Sequence, residues 1–193
     1  MIISLSGPSG IGKGFIKEGL LQLYPKIQEL AWFTTRPLRP NEEGGNRIHV
    51  SFTEFNKMVE DGKLVLVQDL YGYRYGLKKE DLLPSSDTKL TELHPDNLLE
   101  ALKINPAILA IGFVTFDSLL LRKRLSVVRK TESPAEIEKR VATAENEIKT
   151  ILRHRLLFAS VIEVTEAVET SVLKKVREVL ASHLTKKGGN HVS

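Results

Sequence analysis

Apolar positions divide the chain into short runs and helical repeats. Met1–Ser6 reads as a buried strand, and after a glycine-rich interruption Phe15, Ile16, Leu20, Leu21 and Leu23 recur at helical spacing until Pro25. Ile27–Phe33 predicts a second strand. Ser51-Phe52-Thr53-Glu54 is a capping box, which predicts a helix from about Phe52 to Asp61 with Gly62 as its stop. Leu64–Gln68 is β-prone, and Tyr71, Tyr73 and Tyr75 on alternate positions would share one face of a strand. Lys78–Leu83 predicts a helical turn stopped by Pro84, Lys89–Leu93 a strand, and Asp96–Lys103 a helix. Ala107–Val114 is apolar throughout, as a strand covered on both faces must be. Asp117 predicts a cap for a helix reaching Leu125, and residues 126–131 read as an irregular basic stretch. Ser133-Pro134-Ala135-Glu136 is a second capping box, with proline at the first helical position, and opens a helix to about Phe158. Val161–Val164 and Val168–Leu184 predict the last strand and helix, before a frayed tail at residues 185–193.

Strands alternating with helices predict an α/β fold around a parallel sheet. The 193 residues, 41% hydrophobic and 27% charged, suffice for one core with a small inserted subdomain. Lys plus Arg is 28 against 24 for Asp plus Glu, a net charge of +4. So mild an excess suits a small anionic substrate rather than a nucleic acid, which calls for clustered basic blocks. With no cysteine, disulfides, thiolate metal sites and cysteine nucleophiles are excluded. No apolar run approaches the ~18 residues of a membrane span and no signal sequence precedes the first strand, so a cytoplasmic protein is expected.

The glycine-rich interruption is Gly7-Pro8-Ser9-Gly10-Ile11-Gly12-Lys13-Gly14, a GxxxxGK pattern lying after a strand and before a helix. Its backbone N–H groups, with those of Phe15 at the helix start, would cradle nucleotide phosphates, and Lys13 would reach the outer ones. Gly14 stands where a magnesium-binding hydroxyl normally follows the lysine. Arg36 and Arg39, beside Thr34 and Thr35 and held among prolines, are arranged to receive a phosphate, though a surface loop with incidental charge fits those residues equally well. Glu92 and His94 lie at a strand end, where open α/β sheets bind ligands. Arg129 falls in the basic stretch and Arg140 in the following helix, a spacing that would let both close over phosphates; a solvated helix position is the plainer reading of Arg140.

Taken in order, these segments resemble the guanylate kinase family over nearly the whole chain. GPSGIGKG matches its phosphate loop, and Thr34, Thr35, Arg36, Arg39, Glu42 and Gly45 match its acceptor-phosphate motif TTRxPRxGExxG. Tyr75-Gly76 falls on its YYG, and Arg129 with Arg140 on its two lid arginines. The resemblance implies a P-loop NTPase-type parallel sheet flanked by helices. It places the core at residues 1–31, 86–125 and 141–184, an acceptor-binding subdomain at about 32–85, and a lid at about 126–140. It further implies ATP-dependent phosphoryl transfer, with ATP and Mg²⁺ as donor and metal, to a small phosphorylated acceptor, GMP first. Lys13, Arg129 and Arg140 would be catalytic. Residues Gly7, Ser9, Gly10, Ile11, Gly12, Lys13, Gly14 and Phe15 would hold the donor. Thr35, Arg36, Arg39, Glu42, Tyr75, Glu92 and His94 would bind the acceptor, with Glu92 turned toward Mg²⁺ through water. Neither a nucleic-acid nor a membrane partner is implied, and the oligomeric state is left open.

Departures from the family cluster at the base. Ile48 stands in for a tyrosine that holds the acceptor phosphate, Leu66 for the glutamate that reads guanine, Trp32 or Phe33 for a serine that touches the base, and Glu92 with His94 for an aspartate pair. Asn46–Ser51 and Leu66 also resemble the ribose 1,5-bisphosphate phosphokinases, which leaves a sugar-phosphate kinase as an alternative, while the lost groups leave room for a catalytically silent binding module.

Overall fold

The computed structural model describes residues 1–38, 42, 44–70, 72–128, 133–165 and 169–188. Its larger sheet has five parallel strands: β1 (Ile2–Ser6), β2 (Gln28–Glu29), β7 (Lys89–Glu92), β8 (Leu109–Val114) and β9 (Ser160–Glu163), in the order β2-β7-β1-β8-β9. Every residue of β1 and β8 is buried, which is why those segments read as unbroken apolar runs rather than alternations.

A second sheet combines β3 (Trp32–Thr34), β4 (Arg47–His49), β5 (Leu64–Leu70) and β6 (Tyr73–Lys78) in the order β4-β3-β6-β5. The sequence predicts one strand over Ile27–Phe33, whereas the chain makes two, in different sheets. Leu30 N–H donates to Leu90 of the larger sheet, and two residues later Trp32 N–H donates to Asn46 of the smaller one. The three-residue β4 was not predicted at all. Strands β5 and β6 are antiparallel, with a register shift between Val65 and Gln68. At that bulge Leu66 adopts φ 53°, a costly conformation for a non-glycine residue, and is held there by near-complete burial.

The helices are α1 (Lys13–Leu23), α2 (Phe52–Glu60), α3 (Lys79–Leu82), α4 (Leu98–Ile104), α5 (Ser118–Val128), α6 (Pro134–Arg153) and α7 (Glu169–Gly188). Both capping residues act: Ser51 Oγ accepts from Glu54 N–H, and Ser133 forms the full reciprocal box with Glu136. Three helix C-termini differ from expectation by three residues or more. Helix α5 carries residues 126–128 that read as irregular, because Leu125 is buried against Ile137 and Val141 of α6 and extends its apolar face. Helix α6 stops at Arg153, where the chain tightens into a 3-10 turn, Arg155–Leu157, rather than continuing to Phe158. Helix α7 runs to Gly188, into the stretch expected to be frayed. No helix among the described residues is long and apolar enough to cross a membrane.

Candidate active site

Strand β1 delivers the chain into the phosphate loop, and the loop is pressed onto β8. A Cβ on Gly7 would come within 2.9 Å of Phe113 O, so only glycine fits that crossing. Gly10 and Gly12 have φ of 82° and 103°, and the second is the N-cap of α1. The Arg124 guanidinium, from α5, donates to Ile11 O at 3.0 Å and fixes the loop from behind. Lys13 is folded over the loop, its Nζ donating to Gly7 O at 2.6 Å and to Pro8 O at 3.1 Å. The Glu92 carboxylate, at the end of β7, lies 4.0 Å from Lys13 Nζ and 3.7 Å from Lys17 Nζ.

A cleft of about 420 Å³ opens beside this loop, between the two sheets. Gly7, Ser9 and Lys13 line one side; Arg36, Glu42 and Tyr75 line the other, with Glu92, His94 and Arg140 between them. The cleft therefore gathers groups that lie far apart in sequence. Gly10, Ile11, Gly12, Gly14 and Phe15 are not among its lining residues. Ile11 instead anchors the loop in the core and Phe15 is 39% exposed, so any role of these five in holding a donor rests on backbone N–H groups at the start of α1. Thr35 also lies apart from the cleft: its Oγ1 accepts from Arg74 N–H and its own N–H donates to Arg74 O, extending the β3–β6 ladder. Arg39 and Arg129 lie outside the described residues.

Arg36 makes a two-pronged contact with Glu42, its Nη2 donating to the carboxylate oxygens at 2.6 and 2.9 Å. Burial works against the guanidinium charge, but the hydrogen bonds and charge of Glu42, with a further contribution from Tyr75, hold its pKa above the ordinary arginine value. His94 caps the 3-10 turn Pro95–Asn97 and lies 3.5 Å from both Asp96 and the buried Glu147 of α6.

The base-side positions separate by strand alternation. Trp32 pairs in register with Arg47 and Leu77, and Thr34 with Tyr75 and His49; Phe33 pairs with Ile48 and Gly76. Trp32, Arg47, Tyr73 and Tyr75 line the cleft, while Phe33 joins Phe55, Val50 and Leu64 on the opposite face, under α2. Ile48, the residue expected in place of the motif tyrosine, thus shares the face of Phe33, and its neighbour Arg47 faces the cleft. Leu66 is buried in the main core, and past the bulge Gln68 reaches the cleft instead. Asn97 Nδ2 fastens this arrangement by donating to Leu66 O and to Gln68 Oε1. Arg47, Gln68 and Glu147 are cleft residues that sequence reasoning missed, and the three-residue β4 is too short for its alternation to show the face of the first.

Fit for a divalent cation is modest. Among the described residues no group of three or more His, Asp or Glu side chains is placed to hold a metal, and Gly14 offers no hydroxyl. Glu92 is a hard oxygen donor beside the phosphate loop, which suits Mg²⁺ arriving on a nucleotide's own phosphates.

The sequence profile described as Guanylate kinase matches residues 1–183. The guanylate kinase of Clostridioides difficile is 32% identical over 190 residues, covering 96% of this chain and 89% of its own length. That of Streptomyces kasugaensis is 31% identical over 193 residues, covering 98% of this chain and 89% of its own length. The crystal structure of guanylate kinase from Anaplasma phagocytophilum superposes with a TM-score of 0.71 at 20% identity, covering 95% of this chain and 85% of its own, a likeness of fold.

Proposed function

This chain belongs to the guanylate kinase family, and on that premise we propose that it transfers the γ-phosphoryl group of ATP to GMP. The observation that carries the reading is the single cleft shared by the phosphate-loop residues Gly7, Ser9 and Lys13 and the acceptor-side residues Arg36 and Tyr75. The relatives of known name favour neither a sugar-phosphate kinase nor a silent binding module.

Phosphoryl transfer of this kind passes through a loose transition state with charge spread over the moving oxygens, so the protein's task is positioning and charge stabilisation. Lys13 and the N–H groups at the start of α1 hold the donor phosphates. Arg36, kept fully charged and oriented by Glu42, and the Tyr75 hydroxyl hold the acceptor phosphate, with Arg39 as a further ligand. That phosphate is the nucleophile and needs no strong base. Arg140, which lines the cleft, and Arg129 bridge donor and acceptor as residues 126–140 close and exclude water. Glu92 would hold the water shell of a Mg²⁺ ion carried in on ATP, which would supply charge shielding to the phosphates. In this reading the acceptor-binding unit is about residues 32–85, the lid about 126–140, and the core residues 1–31, 86–125 and 141–184.

The test is ADP release from ATP with GMP, dGMP, AMP, CMP, UMP and ribose 1,5-bisphosphate. Turnover highest with GMP supports the proposal; background rates throughout, or preference for the sugar phosphate, overturn it.

A further inference from the structure

We infer that Arg47 is an acceptor-phosphate ligand, doing with a full positive charge what Ile48 cannot do. This inference rests on the proposal that the Arg36–Tyr75 side of the cleft receives a phosphate.

Three observations converge on Arg47. The first is its face: the register pairing of Trp32 with Arg47 sets both on the cleft side of the small sheet, and both line the cleft. The second is its neighbourhood. Its guanidinium carbon is 6.0 Å from the ring centres of both Trp32 and Tyr75, so aromatic faces border it while the residue stays partly exposed. Tyr75 also influences Arg36 through its hydroxyl, so two arginines border one tyrosine.

The third is charge. Arg36 is matched by the Glu42 carboxylate at 2.6 Å, which leaves that pair close to neutral as a unit. A phosphate dianion entering beside a neutral pair gains orientation from the fork but little net attraction. Arg47 makes no ion pair with any described residue, so its charge adds net positive potential to this side of the cleft. A guanidinium offers two parallel N–H groups that match two phosphate oxygens, which a tyrosine hydroxyl cannot do. Shape, exposure and charge thus favour an oxyanion over a structural role alone, in which Arg47 would merely cover Trp32.

Comparing wild type, Arg47→Met and Arg47→Lys tests the assignment, with the KM for GMP and for ATP, kcat, and calorimetric binding of inorganic phosphate as readouts. In Arg47→Met the KM for GMP should rise roughly tenfold to hundredfold and phosphate affinity fall in step, with the KM for ATP unchanged. Arg47→Lys should recover part of the loss because it restores charge without the fork. A KM for GMP and a phosphate affinity within twofold of wild type in Arg47→Met would overturn the inference, as would equal losses for GMP and ATP. Wild-type protein that binds phosphate through Arg47 but does not turn over GMP would sink the GMP assignment and leave the phosphate site standing. Wild-type protein that binds neither would remove both.

Discussion

The indole N–H of Trp32 donates to Thr91 Oγ1 at 3.1 Å with both residues buried, tying the small sheet to the strand that ends in Glu92. The hydrogen bond spends the only polar group of Trp32 on the core, so the cleft meets an apolar ring. Trp32→Phe should cost about 1–3 kcal/mol by leaving the Thr91 hydroxyl without its donor, and Trp32→Ser about 3–5 kcal/mol by opening a cavity. Urea unfolding followed by circular dichroism checks both values.

Trp32 is also the single tryptophan of the chain. Since it lines the acceptor side of the cleft, its emission should change on titration with GMP and much less with ATP alone. Equal responses to both would contradict the assignment of the two ends.

Lys13→Ala should lower kcat by roughly a hundredfold or more, the scale of removing a preorganised transition-state donor. Arg140→Met should act in the same direction, with far-ultraviolet circular dichroism unchanged in each. Wild-type turnover by either variant would remove that residue from the mechanism.

A Cβ at Gly14 meets nothing within 4 Å, so a hydroxyl side chain can be added without collision. Gly14→Ser should stabilise α1 by about 0.3–1 kcal/mol, since glycine is the poorer helix former. It should also lower the Mg²⁺ concentration needed for half-maximal turnover, because Mg²⁺ gains an oxygen ligand from the protein. Thermal melts and Mg²⁺ titrations of activity separate the two effects.

At the start of α6, the Glu136 carboxylate accepts from Ser133 N–H at 2.7 Å and from Ser133 Oγ at 2.8 Å, first the backbone and then the hydroxyl holding its pKa below the ordinary glutamate value. A carboxyl group depressed in the folded state favours folding above its unfolded pKa. That contribution fades as pH falls through the lower, folded-state value. Wild type should therefore be more stable than Glu136→Gln at neutral pH, and the two should converge in acid. Melting temperatures across the acidic range test this.

The features legible in the sequence were those whose cause is local. GxxxxGK demands its glycines because Gly7 runs against Phe113 and Gly12 takes a left-handed φ, and the Ser51 and Ser133 caps announce themselves within four residues. The break between Glu29 and Trp32 was invisible because neither Leu30 nor Ala31 is a turn former; what separates the strands is the choice of partners in two sheets. Arg47 is not legible because a three-residue strand carries too little alternation to show its face, and the family motif sets its tyrosine against Ile48 rather than Arg47. Gln68 reaches the cleft through a bulge at Leu66, which no residue preference advertises. Helix α5 passes Leu125 because of contacts with α6, a tertiary cause.

Lys13 already holds two partners, Gly7 O and Pro8 O, before any nucleotide arrives. Occupation of the loop is therefore an exchange of hydrogen bonds, in which carbonyl acceptors are given up for phosphate oxygens. The enthalpy of nucleotide binding will be smaller than a count of contacts in the complex suggests, and the resting protein needs no counter-ion to keep its ammonium group in place.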